Sequence, residues 1–158
     1  MKSIKILFAT LIAILGLTTF TSCSDDDNNE PNMPAAKAIE GSYKGDMECS
    51  VMGDASTFEN MTFTISATDD ATVTVTLPAF GKAPMALPSI TLTGIKVSEK
   101  DGVATLAQTE VKGQTPEGKT YSCTMQGTVE KNVLNIKFNL QYGAMPMPMI
   151  CSSSATKQ

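Results

Sequence analysis

From Gly41 onward, apolar and polar residues alternate with a period of two rather than the 3.6 of a helix. In YKGDMECSV, Tyr43, Met47 and Cys49 alternate with charged residues. Similar runs are NMTFTISAT, ATVTVTL, ITLTGIKV, VATLAQTEVKG, YSCTMQGTVE and LNIKFNLQY, with a short last strand expected over residues 145–151. Turn sequences such as TDDA, EKDG and GQTPEGK separate these runs. The pattern predicts an all-β domain, an antiparallel meander of about eight strands that closes or nearly closes into a barrel.

Three local features refine this prediction. The apolar phase of ITLTGIKV shifts at Gly94, which indicates a bulge or sharp bend. The segment 130–133 is typical of a tight hairpin. Pro146 and Pro148 lie two residues apart, so one edge of a strand here loses successive ladder bonds, and we expect an imperfect barrel seam. The methionines around them either fill gaps in a core or, less commonly, bind copper(I).

The N-terminus has the organisation of a secretory signal. Lys2 and Lys5 precede an apolar run over residues 6–17, and small and hydroxylated residues lead to Cys23. The apolar run is shorter than the roughly 20 residues of a spanning helix. Phe20-Thr21-Ser22-Cys23 resembles a bacterial lipobox, in which the signal is cut before a cysteine that receives lipid. The resemblance implies a signal peptide over residues 1–22 and a membrane anchor at Cys23, firmly held by its acyl chains.

Acidic residues follow Cys23 directly. Ser24, Asp25, Asp26 and Asp27 begin a segment with little to bury, which predicts a solvated linker. The run also resembles the export signal of surface lipoproteins in Gram-negative gut anaerobes. The resemblance implies an outer-membrane protein that faces the cell exterior. We therefore expect a tether over residues 23–39, a barrel over 40–152 and a C-terminal tail over 153–158.

The charged residues narrow the range of functions. The chain has 12 basic and 16 acidic residues, a net charge of −4 and no histidine, and its basic residues are all lysine. Nucleic-acid binding needs a basic stripe, which is missing here. Without histidine, the common triad and zinc-hydrolase sites are excluded. Asp46 and Glu48 fit solvated outer positions better than a carboxylate pair in a cleft. We predict no enzyme activity, no cofactor and no metal.

A family resemblance supports the predicted barrel. Four short motifs follow one another along the chain. They are Gly41-Ser42-Tyr43-Lys44-Gly45, Val75-Thr76-Leu77-Pro78-Ala79-Phe80, Ile90-Thr91-Leu92-Thr93-Gly94-Ile95-Lys96-Val97 and Gly127-Thr128-Val129. Over residues 40–151 the chain resembles the calycin-like β-barrel lipoproteins of gut anaerobes. The resemblance implies an eight-stranded, lipocalin-shaped barrel. Tyr43 stands where lipocalins carry the Trp of their first-strand Gly-x-Trp motif.

Two functions remain open for such a barrel. The interior either holds a small hydrophobic ligand or is filled by its own side chains. The residues expected to line a ligand site are Tyr43, Met47, Phe63, Val75, Met125 and Phe138. A loop over residues 78–89, with Phe80 and Met85, either forms a lid or simply packs. In the filled case, the outer face or loops would contact glycan or protein partners.

The cysteines allow one disulfide within the domain. With Cys23 acylated, Cys49, Cys123 and Cys151 remain, and an oxidising compartment favours bridging. Closing a meander places the first strand beside the last, which favours Cys49–Cys151. Equally, these cysteines can act as small buried hydrophobes.

Overall fold

The computed structural model describes residues 33–158. A short helix, α1 (Ala35–Ala38), precedes eight strands. The strands are β1 (Gly41–Val51), β2 (Asp54–Asp69), β3 (Thr72–Leu77), β4 (Ile90–Lys100), β5 (Val103–Gln114), β6 (Thr120–Glu130), β7 (Val133–Tyr142) and β8 (Met149–Lys157). The predicted signal peptide (1–22) lies outside the described residues, as do the predicted lipid-attachment residue Cys23 and the predicted export signal Ser24, Asp25, Asp26 and Asp27.

The strands form a closed antiparallel barrel in sequence order. β8 pairs with β7 on one edge and with β1 on the other, and Cys49 lies opposite Cys151 across the β1–β8 junction. The predicted all-β meander barrel is thus confirmed. Closure leaves the sheet without free edges, which protects the strands from pairing with other chains.

The alternating apolar residues fill the barrel. Val73, Val75 and Leu77 of β3 are buried, as are the inward residues of β7 from Leu134 to Leu140. The largest fully buried side chains include Tyr43, Phe63 and Phe138. Their burial supplies the main driving force for folding, since each such side chain contributes about 1.5–3 kcal/mol.

The two ends of the barrel differ. At one end, two-residue turns join β2 to β3, β4 to β5 and β6 to β7. Lys131 and Asn132 in the last of these have φ of 49° and 66°, as a type I′ hairpin requires, which confirms the predicted tight hairpin. At the opposite end, the longer loops 78–89, 115–119 and 143–148 join the strands. We call these the closed end and the loop end.

The helix α1 packs on β2 and β4 at the closed end. Ala36 and Ile39 are buried, and the Ala36 N–H donates to the Asp70 carbonyl at 3.3 Å. The Tyr43 hydroxyl donates to the Ile39 carbonyl at 2.6 Å. Burial raises the pKa of Tyr43, so the phenol keeps the proton that this bond needs at neutral pH. The barrel unit therefore begins before residue 40, inside the segment expected to be tether.

Bulges bend the sheet at several places. Gly94, at φ 76°, lies where β4 carries one more residue than β3 between two paired positions, as predicted from its phase shift. A second irregularity follows Gly45 in β1, where an added Cβ would clash with the Ser154 carbonyl oxygen. A third lies between Leu106 and Thr109 in β5. Bulges tighten the local twist and so help the sheet close.

Two expectations about the last strand are wrong. The prolines lie in the loop that precedes β8, so they remove no ladder bonds, and the barrel has no seam there. Residues 153–157 are not a tail but the second half of β8, in which Ser153 and Ala155 are buried. Small residues fit there because β8 crosses close to β1 at Gly45, where the backbones nearly touch.

The apolar alternation read from the sequence begins only at Asn60, so it leaves out the first half of β2. Residues 54–58 nevertheless pair with β1. Most of their side chains are exposed, so they lack the apolar alternation that marks a strand in the sequence. Within residues 33–158, no helix has the length and apolar character needed to cross a membrane.

Candidate functional site

The loop end of the barrel contains an open apolar cavity of about 780 Å³, here called the end cavity. One wall comes from the β1–β2 hairpin and another from the loop 78–89. Residues near the start of β8 complete it. The side chains that shape it are Cys49, Val51, Met52, Phe58, Phe80, Lys82, Met85, Leu87, Met145 and Met149.

The loop 78–89 is held in place over the barrel. Phe80 and Leu87 exchange backbone hydrogen bonds, at 3.1 Å and 2.8 Å, which close the loop on itself. The Phe80 ring packs edge-on against Phe58 at 5.4 Å between centroids, and only 7% of Phe80 is exposed. The Ser89 hydroxyl donates to the Leu77 carbonyl at 2.7 Å. Through these contacts the loop forms one wall of the cavity.

Methionines dominate the rim and floor of the end cavity. Met52 and Met85 are 78% and 61% exposed at the rim, while Met149 is buried at the floor. Methionine side chains are flexible and polarizable, so they can adapt to ligands of varied shape. Asp54 and Lys82 are the charged residues in the lining. Such a surface suits a molecule with an apolar body and a small polar end.

Cys49 of β1 also lines the end cavity. The Cys151 thiol donates a hydrogen bond to the Cys49 sulfur at 2.9 Å, and both residues are buried. This bond lowers the pKa of Cys49 and raises that of Cys151. Cys123 lies opposite Val111 and Leu140 on the neighbouring strands, and it also helps to raise the pKa of Cys151. Burial raises the pKa of Cys123 to about 12.

The six residues expected to line a ligand site belong to the core instead. All are at most 1% exposed, and none of them lines the end cavity; they are Tyr43, Met47, Phe63, Val75, Met125 and Phe138. Met125 and Phe138 do border a smaller concavity of about 340 Å³ on the barrel wall. The sequence identified the barrel interior correctly but not the place where it opens. Phe80 and Met85 are the two cavity residues that it singled out as a potential lid.

A second concavity of about 760 Å³, here called the outer groove, lies on the barrel exterior. Its lining comes mostly from outward residues of β1 and of β5 to β8. The polar side chains along it are Asp46, Glu48, Gln108, Gln126, Asn135, Lys137 and Ser152. Gly127 and the bulge at residues 107–108 leave room for the groove.

The carboxylates of the groove have simple structural surroundings. Asp46 Oδ1 accepts the Asn60 N–H at 2.9 Å, and both Asp46 and Glu48 are exposed as expected. Within residues 33–158, no group of three or more His, Cys, Asp or Glu side chains is placed to hold a metal ion.

Comparisons with known proteins agree with this architecture. The family model of the calycin-like β-barrel domain matches residues 39–151. A crystal structure of a candidate outer membrane protein from Bacteroides fragilis superposes with a TM-score of 0.70 at 22% identity. The match covers 79% of this chain but only 53% of that protein, so this chain spans about half its length. A search among curated proteins gives no significant match.

Proposed function

Because the chain belongs to the calycin-like β-barrel domain family, we propose that it is a lipid-anchored envelope protein that binds a small apolar ligand. The ligand occupies the end cavity. Cys23 carries the lipid, and Ser24, Asp25, Asp26 and Asp27 direct the protein to the cell surface. The description of the Bacteroides fragilis structure as a candidate outer membrane protein is consistent with this location.

The single observation behind ligand binding is the apolar end cavity at the loop end of the barrel. Its volume of about 780 Å³ lies within the range of typical small-molecule sites, roughly 300–1,000 Å³. Contiguous exposed apolar patches commonly mark ligand-binding or interaction sites. Each apolar Å² that a ligand covers contributes about 25 cal/mol before the costs of association.

The end cavity and helix α1 lie at opposite ends of the barrel. The helix packs at the closed end. The cavity opens between loops at the loop end.

The outer groove supports a second candidate function. Its carboxylate, amide and hydroxyl groups and one lysine could form many hydrogen bonds to a sugar or a peptide. Aromatic side chains, which commonly supply apolar contact area, are missing from its lining. We therefore rank glycan or protein contact through the outer face below ligand binding in the end cavity.

The binding test uses palmitate and an environment-sensitive hydrophobic dye with the purified protein. Met85→Glu places a charge at the cavity rim and is expected to weaken dye binding at least tenfold. Met147→Glu is the matched control, because Met147 is exposed (46%) in a neighbouring loop but does not line the cavity. Its dye affinity should equal that of the wild type. Native mass spectrometry of protein purified from the producing cell should show a bound small molecule.

Two results would contradict this proposal. The first is a wild-type protein that takes up neither palmitate nor dye. The second is equal dye binding by Met85→Glu and the wild type. Loss of glycan or peptide binding in a Thr128→Arg variant, which fills the outer groove, would instead support the second candidate.

Lipid anchoring is tested separately. Cys23→Ala should prevent acylation, and the protein should move from the membrane fraction to the soluble fraction. Replacing Asp25, Asp26 and Asp27 by Ala should keep the protein in membranes but remove it from protease digestion on intact cells. A membrane-bound Cys23→Ala protein would overturn the anchor.

A further inference from the structure

We propose that Cys49 and Cys151 form a disulfide that links the first and last strands of the barrel. The two residues face each other in the β1–β8 register. Their Sγ atoms are 2.9 Å apart, and both side chains point into the barrel. Opposite residues in antiparallel strands have Cα atoms about 4.5–5.5 Å apart, which is within the range that a disulfide spans.

The barrel also decides which thiol stays free. Cys123 on β6 lies opposite Val111 of β5 and Leu140 of β7, so neither neighbouring strand offers it a cysteine. It is completely buried, and burial raises its pKa to about 12, which keeps it as an unreactive thiol near neutral pH. Of the three pairings that the sequence allows, the structure places one within bonding reach.

The reaction has a direction because only one thiol of the pair lines the end cavity. Cys49 is part of the cavity lining, whereas Cys151 is not. The Cys49 thiolate attacks the disulfide of a small or protein oxidant, and the oxidant releases one thiolate. Cys151 then loses its proton and attacks the Cys49 sulfur, which releases the second thiolate. Two protein thiols are oxidised, and one oxidant disulfide is reduced to two thiols. The disulfide proposal depends on the proposed export in one respect only, because export would bring the protein to a compartment that supplies an oxidant.

The bond would hold the barrel closed and leave the cystine in the floor of the end cavity. It joins residues 102 positions apart, and long closed loops give a disulfide its largest effect on the unfolded chain. A rise of about 10 °C in the unfolding midpoint is expected on oxidation. A protein at the cell surface lacks chaperones and cytosolic reductants, so such a covalent closure is useful there.

The test uses reduced full-chain protein, oxidised glutathione and thiol counting after denaturation. The wild type should lose two of its barrel thiols, and peptide mapping should join Cys49 to Cys151. Cys123→Ser is the matched control, in which the same bond should form. Cys151→Ser should accumulate glutathione on Cys49, whereas Cys49→Ser should react at least tenfold more slowly at Cys151.

The proposal is overturned if the wild type keeps every thiol after oxidation or if Cys123 appears in the bridge. Equal glutathione labelling of Cys151→Ser and Cys49→Ser would contradict the order of attack. Oxidation and ligand binding are measured on separate samples, so a cavity that fails to bind dye would not change the outcome of the disulfide test. The rise in the unfolding midpoint of the wild type on oxidation measures the stabilisation by the disulfide, even if a variant folds poorly.

Discussion

At the residue scale, single polar side chains form hydrogen bonds that the pattern of apolar residues does not predict. The Tyr43 hydroxyl ties β1 to the end of helix α1 through the Ile39 carbonyl. Ser153 faces inward on β8, and its hydroxyl donates to the Asp46 carbonyl at 2.7 Å. The first bond is buried and the second is partly buried, and an unsatisfied buried carbonyl would be costly.

Tyr43→Phe tests the value of the first of these bonds. The substitution keeps the ring but leaves the Ile39 carbonyl without this donor, so we expect about 1–3 kcal/mol of lost stability. Tyr121→Phe is the control, since its hydroxyl bond to the Thr91 carbonyl at 3.2 Å is exposed and should contribute less than about 0.5 kcal/mol. Urea unfolding measures both, and equal losses would contradict the role given to Tyr43.

At the scale of elements, the turns at the closed end fix the register of the strands. Asp101-Gly102 and Lys131-Asn132 carry the positive φ angles of type I′ turns, whose twist matches that of paired strands. The β2–β3 turn works differently. Asp69 Oδ1 accepts the Ala71 N–H at 2.9 Å, so a side chain rather than a left-handed backbone holds this turn.

Asp69 should make stability depend on acid pH. The Ala71 N–H and nearby donors hold the pKa of Asp69 below its usual value in the folded protein. Its contribution is therefore complete above the unfolded pKa, about 3.9, and declines as pH falls through the lower folded value. Asp69→Asn should lower the thermal midpoint at pH 7 but much less at pH 2. Asp101→Asn is the control, and an Asp69→Asn effect that does not change with pH would contradict this explanation.

At the scale of the whole molecule, closure depends on the last residues of the chain. The second half of β8 fills the space between β1 and β7, with Ala155 opposite both Gly45 and Leu134. The Lys157 N–H donates to the Asn132 carbonyl, and the Gln158 N–H donates to the Ser42 carbonyl. Without this half-strand, both neighbours would have unpaired edges over the core.

Truncation after Ser152 tests that dependence. Removing residues 153–158 should abolish cooperative thermal unfolding and increase binding of a hydrophobic dye to the exposed core. Deleting Gln158 alone is the control, and it should shift the unfolding midpoint by only a few degrees. A truncated protein that still unfolds cooperatively near the wild-type midpoint would show that residues 153–158 behave as a tail.

The sequence by itself determined the class of fold and the location of its core. A period of two assigns each side chain to one of two faces, so Val73, Val75 and Leu77 could be placed inside without knowledge of any partner strand. Local sequence also predicted the tight hairpin at Lys131 and Asn132, and the shift in apolar phase predicted the bulge at Gly94.

Only the tertiary structure decided how far the last strand extends and where the candidate site lies. The small residues of β8 carry almost no apolar signal, and they form a strand because β1 and β7 offer edges on both sides. The end cavity joins Cys49, Phe80 and Met149, which are far apart in sequence. Which of these distant side chains meet depends on register and on loop packing, and alternation of apolar residues encodes neither.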